Sequence, residues 1–335
     1  MALITALMTT YNCDSFVEDT IQSILEQSLP DFEFLILDDG STDETCQKVL
    51  SFSDSRIRFY SYSENKGVGY RLNQALKMIN TPYIAKVDAD DISVTSRFAE
   101  QYNYLLQNRS IDIVKSYFEY FADDQTIAKS ERFQDFRLNK EAAHNTLDTP
   151  ESISNQLYRW NCVMHTTYFA RSSVIKEVGY EPVRVGEDYG LFYRANMHGI
   201  KIGCVPKVLV KMRLSQSSVT TQIDSAYHFA MVLFNLKFDD IHKLVEKHNQ
   251  VWIYGTGALA KALMEVLVKN KIDCLGFVDR ENGSLLVSDT LHPVTKIDCF
   301  TAKPIIIAAQ PVRAEISRLL EERDYEEWID YMVFA

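Results

Sequence analysis

Three acidic groupings have the types and spacing to do chemistry. Asp88-Ala89-Asp90, with Asp91 next, puts two carboxylates one residue apart, and in an extended segment both can point the same way. Mg2+ and Mn2+ prefer oxygen ligands and commonly take one or two carboxylates together with the phosphates of a substrate. A sugar nucleotide develops negative charge on its diphosphate as the glycosidic bond breaks, so an acidic site handling one needs a divalent cation. Asp38-Asp39 and Glu187-Asp188 are the other two groupings. A carboxylate on the face opposite a leaving phosphate can take the proton of an attacking hydroxyl, which is what inversion at a sugar carbon requires. Alone, a D-x-D is a weak signal, because Asp also caps turns.

The surrounding periodicities say where these acids must sit. Leu3 to Met8 is a β-rich run, and Asp14 or Ser15 is placed to cap a helix carrying Val17, Ile21, Ile24 and Leu25 on one face. Phe32 to Leu37 reads as the next strand. Ser41 with Glu44 reads as a capping box for a second helix. Ile57 to Tyr62, Gly69 to Ile79 and Tyr83 to Val87 continue as strand, helix and strand. This alternation predicts right-handed crossovers and an α/β fold with a mostly parallel sheet. Ligands of such sheets bind at the carboxyl ends of the strands, and that is where Asp38-Asp39 and Asp88 to Asp91 fall.

Composition narrows the function classes. A net charge of -11 argues against a nucleic-acid binder, since phosphate-backbone affinity needs clustered Lys and Arg. The six cysteines are scattered, with no zinc-site spacing, and read as reduced residues of a cytoplasmic protein. The first ten residues lack a basic flank or cleavage site and are expected to be a strand, not a signal peptide. No apolar stretch approaches the roughly 18 residues of a membrane span, so the expected membrane contact is peripheral, at the inner face.

Taken together, Thr9-Thr10-Tyr11-Asn12, Leu37-Asp38-Asp39-Gly40-Ser41-Thr42-Asp43, Asn65-Lys66-Gly67, Val87-Asp88-Ala89-Asp90-Asp91 and Gly186-Glu187-Asp188-Tyr189 resemble the family-2 glycosyltransferases, which are inverting enzymes of the GT-A fold. The resemblance covers roughly residues 1 to 220. It implies that Thr9, Tyr11 and Asp39 hold the nucleotide base and ribose, that Asp90 ligates Mn2+ or Mg2+ with Asp88 beside it, and that Asp188, next to Glu187, is the base. It further implies that Arg71 and Arg213 meet the phosphates and that His165 lies near the acceptor. The function so implied is metal-dependent transfer of one sugar at a time. The expected donor is a nucleotide diphosphate, most simply UDP, and the expected acceptor a hydroxyl of a glycan or lipid-linked glycan in bacterial surface polysaccharide synthesis. A sugar nucleotidyltransferase is the alternative enzyme, but the loop Thr9 to Asp14 lacks the Gly-rich basic character of that class. A non-catalytic nucleotide-sugar binder is the third reading, and intact Asp88, Asp90 and Asp188 speak against it. Gln156-Leu157-Tyr158-Arg159-Trp160 spells a Q-x-x-R-W found in processive synthases, but it precedes Glu187-Asp188 and reads as aromatic packing.

Three segments are expected: a GT-A domain over 1–223, a helical linker over 224–248 and a small Rossmann-like domain over 249–335. In the last, Gly255-Thr256-Gly257-Ala258-Leu259-Ala260 follows a strand, opens a helix and precedes a strand ending in Asp279. That is a dinucleotide fingerprint in its G-x-G-x-x-A form. A tight turn in a docking domain, joining copies of the chain, accounts for the same residues.

Overall fold

The first strand, β1 (Ile4–Thr10), is buried almost throughout, as expected of a strand covered on both faces. A computed structural model describes residues 2–215, 223–247 and 249–335 of the chain. It divides into two compact units, Met1–Ser218 and Val219–Ala335.

The first unit is built on an eight-stranded sheet. With β2 (Phe32–Asp38), β3 (Ile57–Ser61), β4 (Tyr83–Asp88), β5 (Ile92–Ser93), β6 (Ile113–Phe121), β7 (Phe169–Arg171) and β8 (Ile202–Arg213), the order is β3-β2-β1-β4-β7-β6-β8-β5. The first four strands in that order are parallel, β7 runs antiparallel to both β4 and β6, and β6 and β8 are parallel again. Helices α1 (Val17–Leu25), α2 (Thr45–Leu50) and α3 (Val68–Leu76) make the crossovers, and α4 (Arg97–Gln107) follows β5. Val17, Ile21 and Ile24 of α1 pack with Ile4, Ala6, Met8 and Phe34 in one core cluster, together with Phe98 of α4. Burial of this kind, about 1.5–3 kcal/mol per large side chain, is what closes the unit.

Two expected helix starts differ. Helix α1 is preceded by Phe16 and α2 by Glu44, and neither end has a side-chain cap. Asp14 instead donates its N–H to Asp43, and the Ser41 hydroxyl bonds to Asp38. The capping residues serve the loops at the strand ends, which compete for the same short polar side chains.

The second unit has strands β9 (Gln250–Tyr254), β10 (Asp273–Asp279), β11 (Gly283–Val287), β12 (Thr290–Lys296), β13 (Ile305–Ile307) and β14 (Tyr331–Val333), in the order β11-β12-β10-β9-β13-β14. All neighbours are parallel except β11 and β12. The helical stretch expected over 224–248 is present as Ile223–Leu236 and Phe238–Val245, both inside this unit. Its last residue, at 248, lies outside the described residues. Among the described residues no helix is long and apolar enough to cross a membrane.

Candidate active site

Parallel pairing brings the carboxyl ends of three strands to one edge. Thr10 of β1 lies beside Asp38 of β2, and Thr9 beside Asp88 of β4. The residues that follow, Tyr11, Asp39 and Asp90, therefore emerge together. Tyr11 is 49% exposed there, and Thr9 is half-buried.

The two acids after β2 divide their roles. Asp38 is fully buried and accepts hydrogen bonds from the Thr10 hydroxyl, the Gly40 and Ser41 N–H groups and the Ser41 hydroxyl. It builds the turn. Gly40, at φ 81°, supplies the left-handed step that reverses the chain. Asp39 faces the next loop instead, accepting from the Lys66 N–H at 2.9 Å, the Gly67 N–H at 2.7 Å and Arg71 Nε at 2.6 Å.

Arg71 is engaged within the protein. Its Nη1 donates to Gln74 Oε1, its Nη2 to the Glu64 carbonyl, and its guanidinium lies 3.9 Å over the Tyr62 ring. In this structure it braces Asp39, and all three guanidinium nitrogens have protein partners.

After β4 the acids crowd one another. Lys86, buried, donates to Asp88. Burial opposes the charge on Asp88, but the Lys86 ammonium holds its carboxyl below the ordinary range. Asp90 is pushed up to about 6, first by burial and then by Asp88. Asp91, buried and raised further by burial and by Asp90, accepts the Arg213 N–H at 2.9 Å. Arg213 is buried between the Phe16 and Phe121 rings; its Nε donates to the Asp90 carbonyl, and it pairs with Asp123 and Asp19.

The third acidic grouping opens the helix Glu187–Met197, after Gly186 at φ 83°. Asp188 is half-buried and accepts from Asn161 Nδ2 at 2.8 Å and from the Tyr189 N–H at 2.7 Å. Its carboxyl is raised, mainly by burial and in part by Asp88. Asp88 raises the carboxyls of both Asp90 and Asp188. Glu187 is more deeply buried, raised well above the usual range by burial and by Asp188, and lies 3.8 Å from His165 Nδ1. His165 is held neutral, its pKa lowered to about 3 by burial and by Lys86, and its Nε2 meets the Tyr180 hydroxyl at 3.2 Å.

The structure thus brings Thr9, Tyr11, Asp39, Asp88, Asp90, Glu187, Asp188, His165 and Arg213 to the sheet edge or its rim. Lys86 and Asn161 were not singled out from sequence. Lys86 left a trace there, a charge in the otherwise apolar run Tyr83–Val87. Asn161 left none. Gln156-Leu157-Tyr158-Arg159-Trp160 packs internally: Trp160 lies against His144 and Tyr158 against Tyr193, with ring centroids 4.7 and 5.9 Å apart.

A parallel sheet with acids at its carboxyl edge, continued by antiparallel β7 and by β6 and β8, is the arrangement of a GT-A fold. The family model described as Glycosyl transferase family 2 matches residues 5–178, and the chain belongs to that family. It is a glycosyltransferase, which sets aside the nucleotidyltransferase reading. The Escherichia coli UDP-Glc:alpha-D-GlcNAc-diphosphoundecaprenol beta-1,3-glucosyltransferase WfgD is 33% identical over 138 residues, covering 41% of this chain and 54% of that protein. S. aureus TarS 1-349, solved with UDP-GlcNAc, superposes with a TM-score of 0.54 at 17% identity, over 80% of this chain and 72% of its own. The mannosyltransferase PcManGT of Pyrobaculum calidifontis, solved with GDP-Man and Mn2+, gives 0.53 at 19% identity, over 70% and 63%.

Proposed function

We propose that this enzyme transfers one sugar at a time from a nucleotide diphosphate, UDP in the first instance, to a hydroxyl of a glycan or lipid-linked glycan, with inversion. The observation that carries the reading is the parallel register that sets Asp88 of β4 beside Thr9 of β1 and Thr10 beside Asp38 of β2, so that the acids following these strands share one sheet edge.

The residues fit a divalent cation. Asp88 and Asp90 are two oxygen donors, the first of which raises the cost of charge on the second, and Mn2+ or Mg2+ would offset that crowding. Among the described residues no three His, Cys, Asp or Glu side chains form a complete cage; a cation would be held by Asp88 and Asp90 together with the donor phosphates. A cation held there would supply positive charge for the departing diphosphate.

The remaining work falls to the chain itself. Thr9, Tyr11 and Asp39 border the space for base and ribose. Arg213, held beside Asp90, adds positive charge at the diphosphate end. Asp188 takes the acceptor proton: burial has raised its affinity for one, and Asn161 fixes its orientation. His165, neutral, and Glu187 lie behind it on the acceptor side. WfgD, which is named for a UDP-glucose donor and a lipid-diphosphate acceptor, supports both substrate classes, and the Escherichia coli O-antigen biosynthesis glycosyltransferase WbnJ, 27% identical over 196 residues, supports a role in surface polysaccharide synthesis. Such an acceptor would bring the enzyme to the inner face of the membrane.

Calorimetry with UDP tests the donor half. Binding should require Mn2+ or Mg2+ and be lost in Asp90→Ala; equal, metal-independent binding by both proteins would defeat the reading. Asp188→Asn should retain UDP binding and lose transfer, and an active variant would remove Asp188 from the chemistry.

A further inference from the structure

Between the helices Ser172–Val178 and Glu187–Met197 the chain is irregular, yet it is fastened along α3. Asn73 of that helix meets the Tyr180 backbone twice, its Nδ2 donating to the carbonyl at 2.8 Å and its Oδ1 accepting the N–H at 3.0 Å. The Gly69 N–H donates to the Val183 carbonyl at 3.3 Å. Gly69 and Asn73, four residues apart, share a face of α3, and the segment runs antiparallel along it. It then reaches Asn65, where Arg184 Nη1 donates to Oδ1 at 2.6 Å and Nη2 to the carbonyl at 3.0 Å.

Two glycines record how closely the two stretches approach. A Cβ on Gly69 would collide with the Glu181 carbonyl and stand 2.9 Å from that of Val183. Glycine is unfavourable inside a helix, so the seat it provides for the segment explains it. A Cβ on Gly67 would stand 2.9 Å from Arg184 Cγ.

The contacts differ in kind. Those of Asn73 and Gly69 are made to backbone and fix the course of the chain. Arg184 is exposed, and ordering so long a side chain at the surface costs rotamer freedom. Its value lies in what it joins. Directly after Asn65 come Lys66 and Gly67, whose N–H groups buried Asp39 accepts. Four residues after Arg184 comes Asp188.

We propose that Arg184 is a positioning residue for the transfer step: by gripping Asn65 it ties the segment leading into Asp188 to the loop that Asp39 holds, so that a donor steadying this loop also steadies the base. The inference rests on the reading of Asp39 as a nucleotide contact and Asp188 as the base.

Hydrogen exchange of the full chain labelled with 15N-glycine, with and without saturating UDP and Mn2+, tests this. The Gly67 amide, bonded to Asp39, reports the donor loop, and the Gly190 amide, bonded to the Gly186 carbonyl at 3.0 Å, reports the first turn of the helix carrying Asp188. In the native chain UDP should slow exchange at both, by about tenfold at Gly190, the worth of one hydrogen bond to a charged group. In Arg184→Gln the slowing should persist at Gly67 and vanish at Gly190, with UDP affinity unchanged. Asn65→Ala should repeat that pattern, and it decides the matter if Arg184→Gln melts at a lower temperature. Slowing at Gly190 that survives both substitutions, or that is absent from the native chain while Gly67 is slowed, overturns the proposal. Absence of slowing at Gly67 in the native chain defeats the donor reading itself, and the inference falls with it. An active Asp188→Asn, by contrast, defeats only the assignment of the base and leaves the exchange pattern as it is.

Discussion

Asn161 and Asp188 are joined by a hydrogen bond of 2.8 Å across 27 residues of sequence. The amide donates to one carboxylate oxygen, while the other accepts the N–H of Tyr189. Asp188 is thereby held in one rotamer at the start of its helix. We expect Asn161→Ala to lower kcat about ten- to a hundredfold, the effect of one lost hydrogen bond to a charged group, with UDP affinity unchanged. Initial rates beside UDP titrations check this, and a variant with normal kcat would show that Asp188 is oriented by other means.

The buried pair Arg71–Asp39 makes a stability prediction. Both side chains are at most 5% exposed, so removing one partner leaves an uncompensated charge, at a cost of about 3–5 kcal/mol. Arg71→Met should show that loss in denaturant unfolding. The double variant Arg71→Met with Asp39→Asn should recover part of it, since no full charge is then left buried.

Lys237 predicts how stability of the second unit varies with pH. It is 1% exposed, donates to the carbonyls of Val333 and Phe334, and has Asp240, Glu327 and Arg313 as charged neighbours. Burial lowers its pKa from 10.5 to about 7. Between those values the unfolded chain holds a proton that the folded chain has released, so this residue makes stability rise with pH. Below about pH 7 both states are protonated and its destabilising effect is complete. Melting curves from pH 7 to 9 should rise more steeply for the native protein than for Lys237→Met, and equal slopes would refute the assignment.

Local pattern in the sequence was sufficient for the order of strands and helices as far as Asp88 and for the acids at those strand ends. Alternation of apolar runs marks those elements within a few residues, and in parallel pairing a residue just past one strand must meet residues just past its neighbours. That is why Asp39, Asp88 and Asp90 could be placed before any coordinates. Which acid does what was decided only in three dimensions. Asp38 and Asp39 are adjacent and chemically identical, yet one closes its own turn and the other holds Lys66, Gly67 and Arg71. Ser41 suits a helix cap by type, but the buried Asp38 beside it competes for the hydroxyl. Asn161 meets Asp188, and the Arg213 N–H meets Asp91 across 122 residues, because the β7, β6 and β8 strands fold back beside β4. A hydrogen bond depends on positions to within a fraction of an ångström, and only the packed chain sets those.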